Sequence, residues 1–143
     1  MKQISLALLL IGISFSSLAQ SDVTGKWKTI DDETGKEKSI VEIFEKDGMI
    51  YGKITKLFRG PDEEKDPICN ECTGDRKNEK IIGMEIIRGM EWDADDEEYE
   101  EGTIMDPQDG KVYDCVLWKE GEELKVRGYV AFFYRTQTWE KVN

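Results

Sequence analysis

The chain has 143 residues, a formal net charge of −11 and no histidine. This charge predicts repulsion from phosphate backbones and anionic lipid headgroups, which argues against nucleic-acid binding and electrostatic membrane binding. The missing histidine excludes Ser-His-Asp and Cys-His catalytic groups and any imidazole metal ligand. Four Trp and five Tyr argue against disorder, and the length suits one domain with a single core.

The N-terminal segment, MKQISLALLLIGISFSSLA, has the pattern of a secretory signal peptide. Lys2 supplies the positive start, residues 4–13 are apolar, and Ser17 and Ala19 are the small residues that precede a cleavage site. We therefore predict a signal peptide over residues 1–19 and export to the periplasm or the outside of the cell.

The mature chain would cover residues 20–143 as one domain. Removal of Lys2 with the signal peptide changes the formal net charge from −11 to −12. No later segment is apolar enough to predict a membrane span.

Residues 20–143 alternate between apolar and polar side chains over short runs, which is typical of β-strands. In "SIVEIF", for example, Val41 and Ile43 alternate with Glu42. Short connections with glycine, such as those at Gly48 and Gly121, predict tight hairpins. The predicted strands are 24–31, 37–46, 49–57, 81–89, 98–106, 111–119, 122–130 and 134–142.

No amphipathic helix is evident after the signal peptide, so the strands should form an antiparallel meander. Eight such strands favour an up-and-down β-barrel, which leaves no exposed edge and is either packed solid or able to hold one small ligand. An open sandwich of two sheets is the alternative. The connection over residues 58–80 is far longer than a hairpin loop, which is typical of a lid or a binding loop.

The long connection contains Cys69 and Cys72 in "DPICNECTGDRK". A zinc site needs four ligands, and the chain offers three cysteines and no histidine. A redox pair would be expected at the start of a helix, whereas Pro67 and Gly74 flank this pair in a polar loop. An oxidising compartment favours a disulfide that shapes the loop locally, and Cys115 is predicted to be a buried free thiol.

One acidic stretch resembles a calcium-binding loop and another resembles a catalytic acid–base pair, but neither fits the requirements of that site. In the run "DADDEEYEEG", Glu98 and Ile104 stand where a calcium loop needs Gly and a bidentate Glu, so a solvated hairpin is favoured over weak calcium binding. In "DPQDGK", turn chemistry accounts for Asp106 and Asp109 better than an acid–base pair does. We predict no metal and no cofactor.

Several motifs, read in order, resemble one family of exported bacterial proteins. They are "GKW", "IYGKI", "GTIMDPQDGKVYDC", "LKVRGYV" and "RTQTW". The family is domain of unknown function 2147, and the resemblance covers about residues 23 to 142. It implies a lipocalin-like β-barrel and no established activity. This chain reads "RGYVAFFYR" where family members often have Gly, so the bend before the last strand is expected to differ.

The lipocalin resemblance also implies a plug at one end of the barrel. In such barrels the Trp of a Gly-x-Trp motif packs across the closed end under a basic side chain. By this resemblance Trp27 would be the plug and Arg135 would cover it by a cation–π contact.

A further set of polar and aromatic side chains is predicted to line the barrel interior, whereas Arg127 is expected to point outward. Its members are Tyr51, Tyr113, Arg135, Gln137 and Trp139. If they point inward, the barrel could hold a small hydrophobic or amphipathic molecule. A barrel packed solid, acting through contact with another envelope protein, is the alternative. Because no set of residues converges on a catalytic arrangement, we do not expect an enzyme.

Overall fold

The structure, a computed structural model, describes residues 19–143. Eight antiparallel strands form a closed barrel in which each strand pairs with its neighbours in sequence and β1 pairs with β8. The strands are β1 (Gly25–Ile30), β2 (Glu37–Lys46), β3 (Met49–Leu57), β4 (Glu85–Asp93), β5 (Glu98–Met105), β6 (Val112–Glu120), β7 (Glu123–Val130) and β8 (Phe133–Lys141). The prediction of an eight-stranded up-and-down barrel is confirmed.

Alternation of side chains sets the two faces of the barrel wall. In β2, Ser39, Val41 and Ile43 are buried, whereas the residues between them are only half-buried. Successive side chains of a strand point to opposite faces, so these three face the interior.

The fourth strand was predicted at 81–89 but runs from Glu85 to Asp93. The chain turns at Gly83, whose φ is +94°. Gly83 also donates a backbone hydrogen bond to Ile54 at 2.6 Å, and Ile54 in turn donates to Met84 at 3.0 Å. The apolar residues at 81–84 therefore belong to the end of the long connection, because their backbone bonds close a turn against β3.

The two ends of the barrel carry different connections. The β2–β3, β4–β5 and β6–β7 hairpins lie at one end, which we call the packed end. The β1–β2, β5–β6 and β7–β8 connections lie at the other, the open end, together with residues 58–84 and a short 3-10 helix, Gly74–Arg76.

Large apolar side chains fill the interior at the packed end. Those with at most 1% of their surface exposed include Trp27, Ile43, Met90, Leu117 and Leu124. Val23, in the segment before β1, is also fully buried and belongs to the same core.

Trp27 is fully buried at the packed end, where the resemblance places a plug, but Arg135 does not cover it. The Trp27 indole donates a hydrogen bond to the carbonyl oxygen of Val23 at 2.9 Å. Lys141 Nζ lies 4.7 Å from the centroid of the Trp27 ring, and the two residues are register partners of β8 and β1. The predicted Trp27–Arg135 pair is wrong because Arg135 lies near the start of β8, at the opposite end of the barrel.

The predicted signal peptide lies outside the described residues except for Ala19. Within residues 19–143, no helix has the length and apolar character needed to cross a membrane.

Candidate functional site

A cavity of about 860 Å³ occupies the barrel interior at the open end. Residues from all eight strands line it, together with the connections at that end. Its main apolar lining residues are Ile54, Leu57, Phe58, Ile81, Ile104, Tyr113, Val126 and Trp139. Trp139 is only 1% exposed, so it lies at the inner end of the cavity, against the packed core.

The register of β7 and β8 places one side of the cavity. Val126 pairs with Gln137 and Gly128 pairs with Arg135, and these inward-facing partners all line the cavity. A Cβ atom added to Gly128 would come no closer than 3.6 Å to another atom, namely Tyr113 Cβ. The missing side chain of Gly128 therefore contributes directly to the open volume.

The polar groups inside the cavity are paired with each other. The hydroxyl groups of Thr29 and Ser39 lie 2.8 Å apart, and the Trp139 indole donates to Gln137 Oε1 at 3.0 Å. Every buried side-chain nitrogen or oxygen atom of the described residues has a hydrogen-bond partner. A buried polar group costs little when it is hydrogen-bonded, so these groups leave the surroundings suitable for an apolar ligand.

Ion pairs surround the mouth of the cavity. The Arg135 guanidinium donates two hydrogen bonds to the carboxylate of Asp32 and lies 3.5 Å from Glu33. These hydrogen bonds hold the pKa of Asp32 below its usual range and raise the pKa of Arg135. The Arg59–Glu63 pair, at 3.3 Å, adds a second charged contact at the rim. The rim is therefore polar, whereas the depth of the cavity is apolar.

The long connection forms one wall of the cavity. Pro67 and Ile81 line it, and Ile81 donates a backbone hydrogen bond to Pro67 at 3.0 Å. Cys69 exchanges backbone hydrogen bonds with the other side of this turn, donating to Glu79 at 2.8 Å and accepting from Asn78 at 2.9 Å. Much of this connection therefore has a defined backbone structure.

The predicted disulfide between Cys69 and Cys72 is confirmed. Both residues are 1% exposed, and Cys72 Sγ lies 3.7 Å from Met105 Sδ at the end of β5. The connection also packs tightly against the next hairpin, because a Cβ atom on Gly110 would overlap the backbone of Glu71. The disulfide thus fixes the loop against the β5–β6 turn and beside the cavity.

Four of the five side chains predicted to line the interior do so: Tyr113, Arg135, Gln137 and Trp139. Whether they bind a ligand stays a prediction. Arg127 points outward as expected, with its guanidinium 4.8 Å from the Trp118 ring centroid and 4.4 Å from that of Tyr134.

Tyr51 does not line the cavity, and that prediction is wrong. Its register partner is Phe44, and their stacked rings are 6.0 Å apart on the outer wall. Lys46 Nζ lies 4.2 Å from the Tyr51 ring centroid. The neighbouring Gly52 pairs with Ile43, so the glycine faces inward and the tyrosine faces outward.

Several cavity residues were not anticipated from the sequence. The Thr29–Ser39 pair and the loop residues Pro67 and Ile81 come together only through strand pairing and the fold of the long connection. Alternation in β1 and β2 could have indicated that Thr29 and Ser39 face inward, since each shares a face with buried apolar residues.

Cys115 and the acidic run at 93–102 do not line the cavity, whereas Asp106, Pro107 and Gln108 of "DPQDGK" do. Cys115 is a free cysteine, 2% exposed, and burial raises the pKa of its thiol to about 12. In "DPQDGK", Asp106 Oδ1 accepts from Gln108 N at 2.9 Å and Asp109 Oδ1 accepts from Lys111 N at 2.9 Å. These bonds are the expected turn chemistry.

The acidic run at the packed end brings three carboxylates together. Asp93, Asp96 and Glu100 have ligand atoms within 4.8 Å of one another. Asp93 accepts backbone hydrogen bonds from Asp95 at 2.8 Å and Asp96 at 3.4 Å, which fits the predicted hairpin. A hydrogen bond with Asp93 raises the pKa of Glu100.

A solved structure resembles this barrel. It is described as "Protein HP1028 from the human pathogen Helicobacter pylori belongs to the lipocalin family". The similarity covers 85% of this chain and 84% of that chain, with a TM-score of 0.71 and 19% sequence identity. At that identity the likeness establishes a lipocalin-like fold. No curated protein matches the chain significantly in sequence.

A family model described as "Uncharacterized protein conserved in bacteria (DUF2147)" matches residues 25–141, which includes all eight strands. The match therefore extends through both the packed core and the cavity. The chain belongs to this family of bacterial proteins, domain of unknown function 2147.

Proposed function

We propose that the protein is an exported, non-enzymatic binding module that holds one small hydrophobic or amphipathic molecule in the open-end cavity. The observation that carries this proposal is the hollow half of the barrel. A volume of about 860 Å³ falls within the range of roughly 300–1,000 Å³ that is usual for small-molecule sites. The lipocalin-like fold is consistent with such a role.

The lining supports an amphipathic ligand with a defined orientation. The apolar part would lie deep in the barrel against Trp139 and Val126, where contact with water is lost. A polar end would lie at the rim, where Arg135 and Asp32 already face solvent. A purely apolar ligand would use the depth of the cavity and leave the rim pairs undisturbed.

The proposal includes export and excludes catalysis. Export rests on the signal-peptide pattern of residues 1–19, and an oxidising compartment agrees with a disulfide at Cys69 and Cys72. The absence of histidine removes the commonest general base from the chemistry of the cavity.

A matched pair of variants tests the proposal. Gly128→Leu would fill the cavity from an inward position where an added Cβ meets no close atom. Val116→Leu adds bulk to the neighbouring strand on the outer wall, where Val116 pairs with the outward-facing Arg127. Binding is measured by titrating the mature protein with a fluorescent fatty acid. We expect at least a tenfold loss of affinity for Gly128→Leu and no change for Val116→Leu.

Native mass spectrometry of protein purified from its own cell envelope would identify a retained ligand. Equal affinity of the two variants for the fatty acid, together with no retained mass, would contradict the proposal. The spectra are recorded on the unmodified chain and on Gly128→Leu, because a ligand of the cavity should be lost from the variant.

The second hypothesis, contact with another envelope protein, stays a prediction. This hypothesis assumes a solid barrel, whereas the interior is filled at one end only. In-cell cross-linking that captures no partner would count against it.

A further inference from the structure

The β7–β8 hairpin exposes an uncharged aromatic tip beside the mouth of the cavity. Residues 128–134, GYVAFFY, contain no charged side chain in a chain of which 36% is charged. Phe132 is 98% exposed, Phe133 77% and Tyr134 63%. Ala131 adopts a φ of +51° at the turn, which projects the two phenylalanines as the end of the hairpin. We call residues 130–134 the hairpin tip.

Two of the three other exposed large apolar side chains lie at the same end. Among residues 19–143, the large hydrophobic residues that are exposed outside the hairpin tip are Ile68, Ile82 and Val112. Ile68 belongs to the long connection and Val112 begins β6, both at the open end, whereas Ile82 lies on the outer wall beside Phe44 and Lys53. Scattered exposed apolar residues are normal, but the grouping of most of them at one end of a barrel indicates a contact surface.

The packed end has the opposite character. Residues 93–98, DADDEE, hold five acidic side chains and no basic one, and residues 120–123, EGEE, hold three. Both segments are hairpin turns at the packed end. An anionic surface therefore repels the packed end most strongly. This repulsion would turn the open end toward the surface.

We propose that the hairpin tip inserts into the interface of a lipid bilayer and holds the cavity mouth against the membrane. Aromatic side chains favour the boundary between headgroups and acyl chains, and an apolar face buried there reaches about 5–10 Å deep. Attachment of this kind needs no positive charge, so it is compatible with the acidic net charge that argues against electrostatic binding. The contact is apolar, and the acidic end orients the molecule.

The tip is continuous with the cavity. Val130, Phe133 and Tyr134 line the cavity mouth as well as being exposed, whereas Phe132 lies beyond it. Arg127 and Arg135 bracket the uncharged residues, and Arg135 lies three positions from Phe132, or roughly 10 Å along an extended strand. At that distance a guanidinium would reach the level of the lipid phosphates when Phe132 is inserted. This placement extends the proposed function, since an amphipathic ligand could pass between bilayer and cavity without crossing water.

The test uses the mature chain and vesicles of zwitterionic phosphatidylcholine in a flotation assay. Phe132→Ser should reduce the bound fraction about tenfold or more, because it removes one fully exposed apolar side chain from the inserted set. Phe132→Trp should retain binding, since tryptophan favours the same interface. Phe44→Ser is the control, because Phe44 is a half-buried phenylalanine that stacks on Tyr51 on the outer wall, away from the hairpin tip. Anionic phosphatidylglycerol in the vesicles should weaken binding at low salt.

Three results would overturn the inference. The first is absence of the unmodified chain from the vesicle fraction, and the second is equal binding of Phe132→Ser and Phe44→Ser. Light scattering could instead show a dimer that Phe132→Ser abolishes, which would assign the tip to a second copy of the chain. Fatty-acid titration of Phe132→Ser separates this inference from the proposed function, because Phe132 does not line the cavity and its loss should leave that affinity unchanged.

Discussion

The packed end and the open end are built from the same eight strands, yet one is solid and the other hollow. At the packed end the inward positions carry large side chains such as Trp27, Met90 and Leu124, and Val23 adds to them from outside the sheet. At the open end the inward positions include Thr29 and the glycine at 128. Small inward side chains such as these leave room at the open end, although larger residues such as Leu57 and Tyr113 line it as well.

The largest expected effect comes from a matched pair of leucines. Leu124→Ala should lower the free energy of unfolding by about 2–5 kcal/mol, because it leaves a cavity in fully packed surroundings. Leu57→Ala should cost about half as much or less, since Leu57 is only partly buried and already faces the cavity. Urea denaturation measures both values. Equal losses would mean that the open end is as tightly packed as the other.

A matched pair of glycines sharpens the same contrast. A Cβ atom on Gly102 would lie 2.5 Å from the Arg88 carbonyl oxygen and would overlap Met90 Sδ, so Gly102→Ala should cost roughly 1–3 kcal/mol through overpacking. Gly128→Ala meets only ordinary contacts and should be neutral or stabilising by up to about 1 kcal/mol. Thermal and urea unfolding should rank the two variants in this order, and the opposite order would contradict the hollow interior.

Loss of the disulfide should affect the open end alone. The double variant Cys69→Ser/Cys72→Ser opens a very small disulfide ring. Because such a ring restricts the unfolded chain little, the free energy of unfolding should fall by about 2 kcal/mol or less. Hydrogen exchange should rise over residues 66–82 while β6 and β7 keep their protection. Faster exchange throughout the barrel would show that the loop supports the packed core as well.

A smaller effect is expected from the Asp32–Arg135 pair at the rim. The pKa of Asp32 is lowered in the folded protein, so the pair stabilises the fold above the unfolded value of about 3.9 and this contribution is lost as the pH falls through the folded pKa. Because the side chains are 30% and 52% exposed, Asp32→Asn should cost at most about 1 kcal/mol at pH 7.

The comparison for Asp32→Asn is Asp62→Asn, which changes an exposed carboxylate in the long connection. Urea unfolding at pH 7 and at pH 3 should show a difference between the two variants that shrinks at the lower pH. A difference that grows on acidification would contradict the assignment.

The thiol reactivity of Cys115 tests whether the barrel opens at the boundary between its packed and open ends. It pairs with Gly102 on one side and Gly128 on the other, and it is 2% exposed. A thiol reagent at pH 8 should find no reactive cysteine in the native protein, since the pKa of this thiol is about 12. Denaturation should reveal one thiol, and added reductant should reveal all three cysteines. Reaction in the native state would show that the boundary opens.

Most strands could be predicted because burial of one face imposes alternation. The β2 and β3 boundaries agree with the prediction, since Gly48 and its neighbours form a tight turn between two clear patterns. The fourth strand was predicted too early because Ile81, Met84 and Ile86 form an apolar pattern in the sequence. A run of apolar residues in the sequence does not distinguish a strand from a loop segment that packs against a strand.

The lining residues were partly predictable for the same reason. Gln137 and Trp139 share a strand face with Arg135, so if one of the three faces inward the other two also face inward. The prediction for Tyr51 was wrong although its strand indicates the inward face, since the buried Ile50 and Ile54 alternate with it.

By itself, the sequence determined the antiparallel hairpin meander, the local Cys69–Cys72 disulfide and the turn chemistry of "DPQDGK", because each depends on residues close together along the chain. Closure of the barrel depends on β1 pairing with β8, so the tertiary structure decided it. Only the tertiary structure decided that Lys141 rather than Arg135 covers Trp27. It also decided that one half of the barrel is hollow. Both outcomes depend on which residues distant in sequence meet across the barrel, and strand register and side-chain volume settle that together.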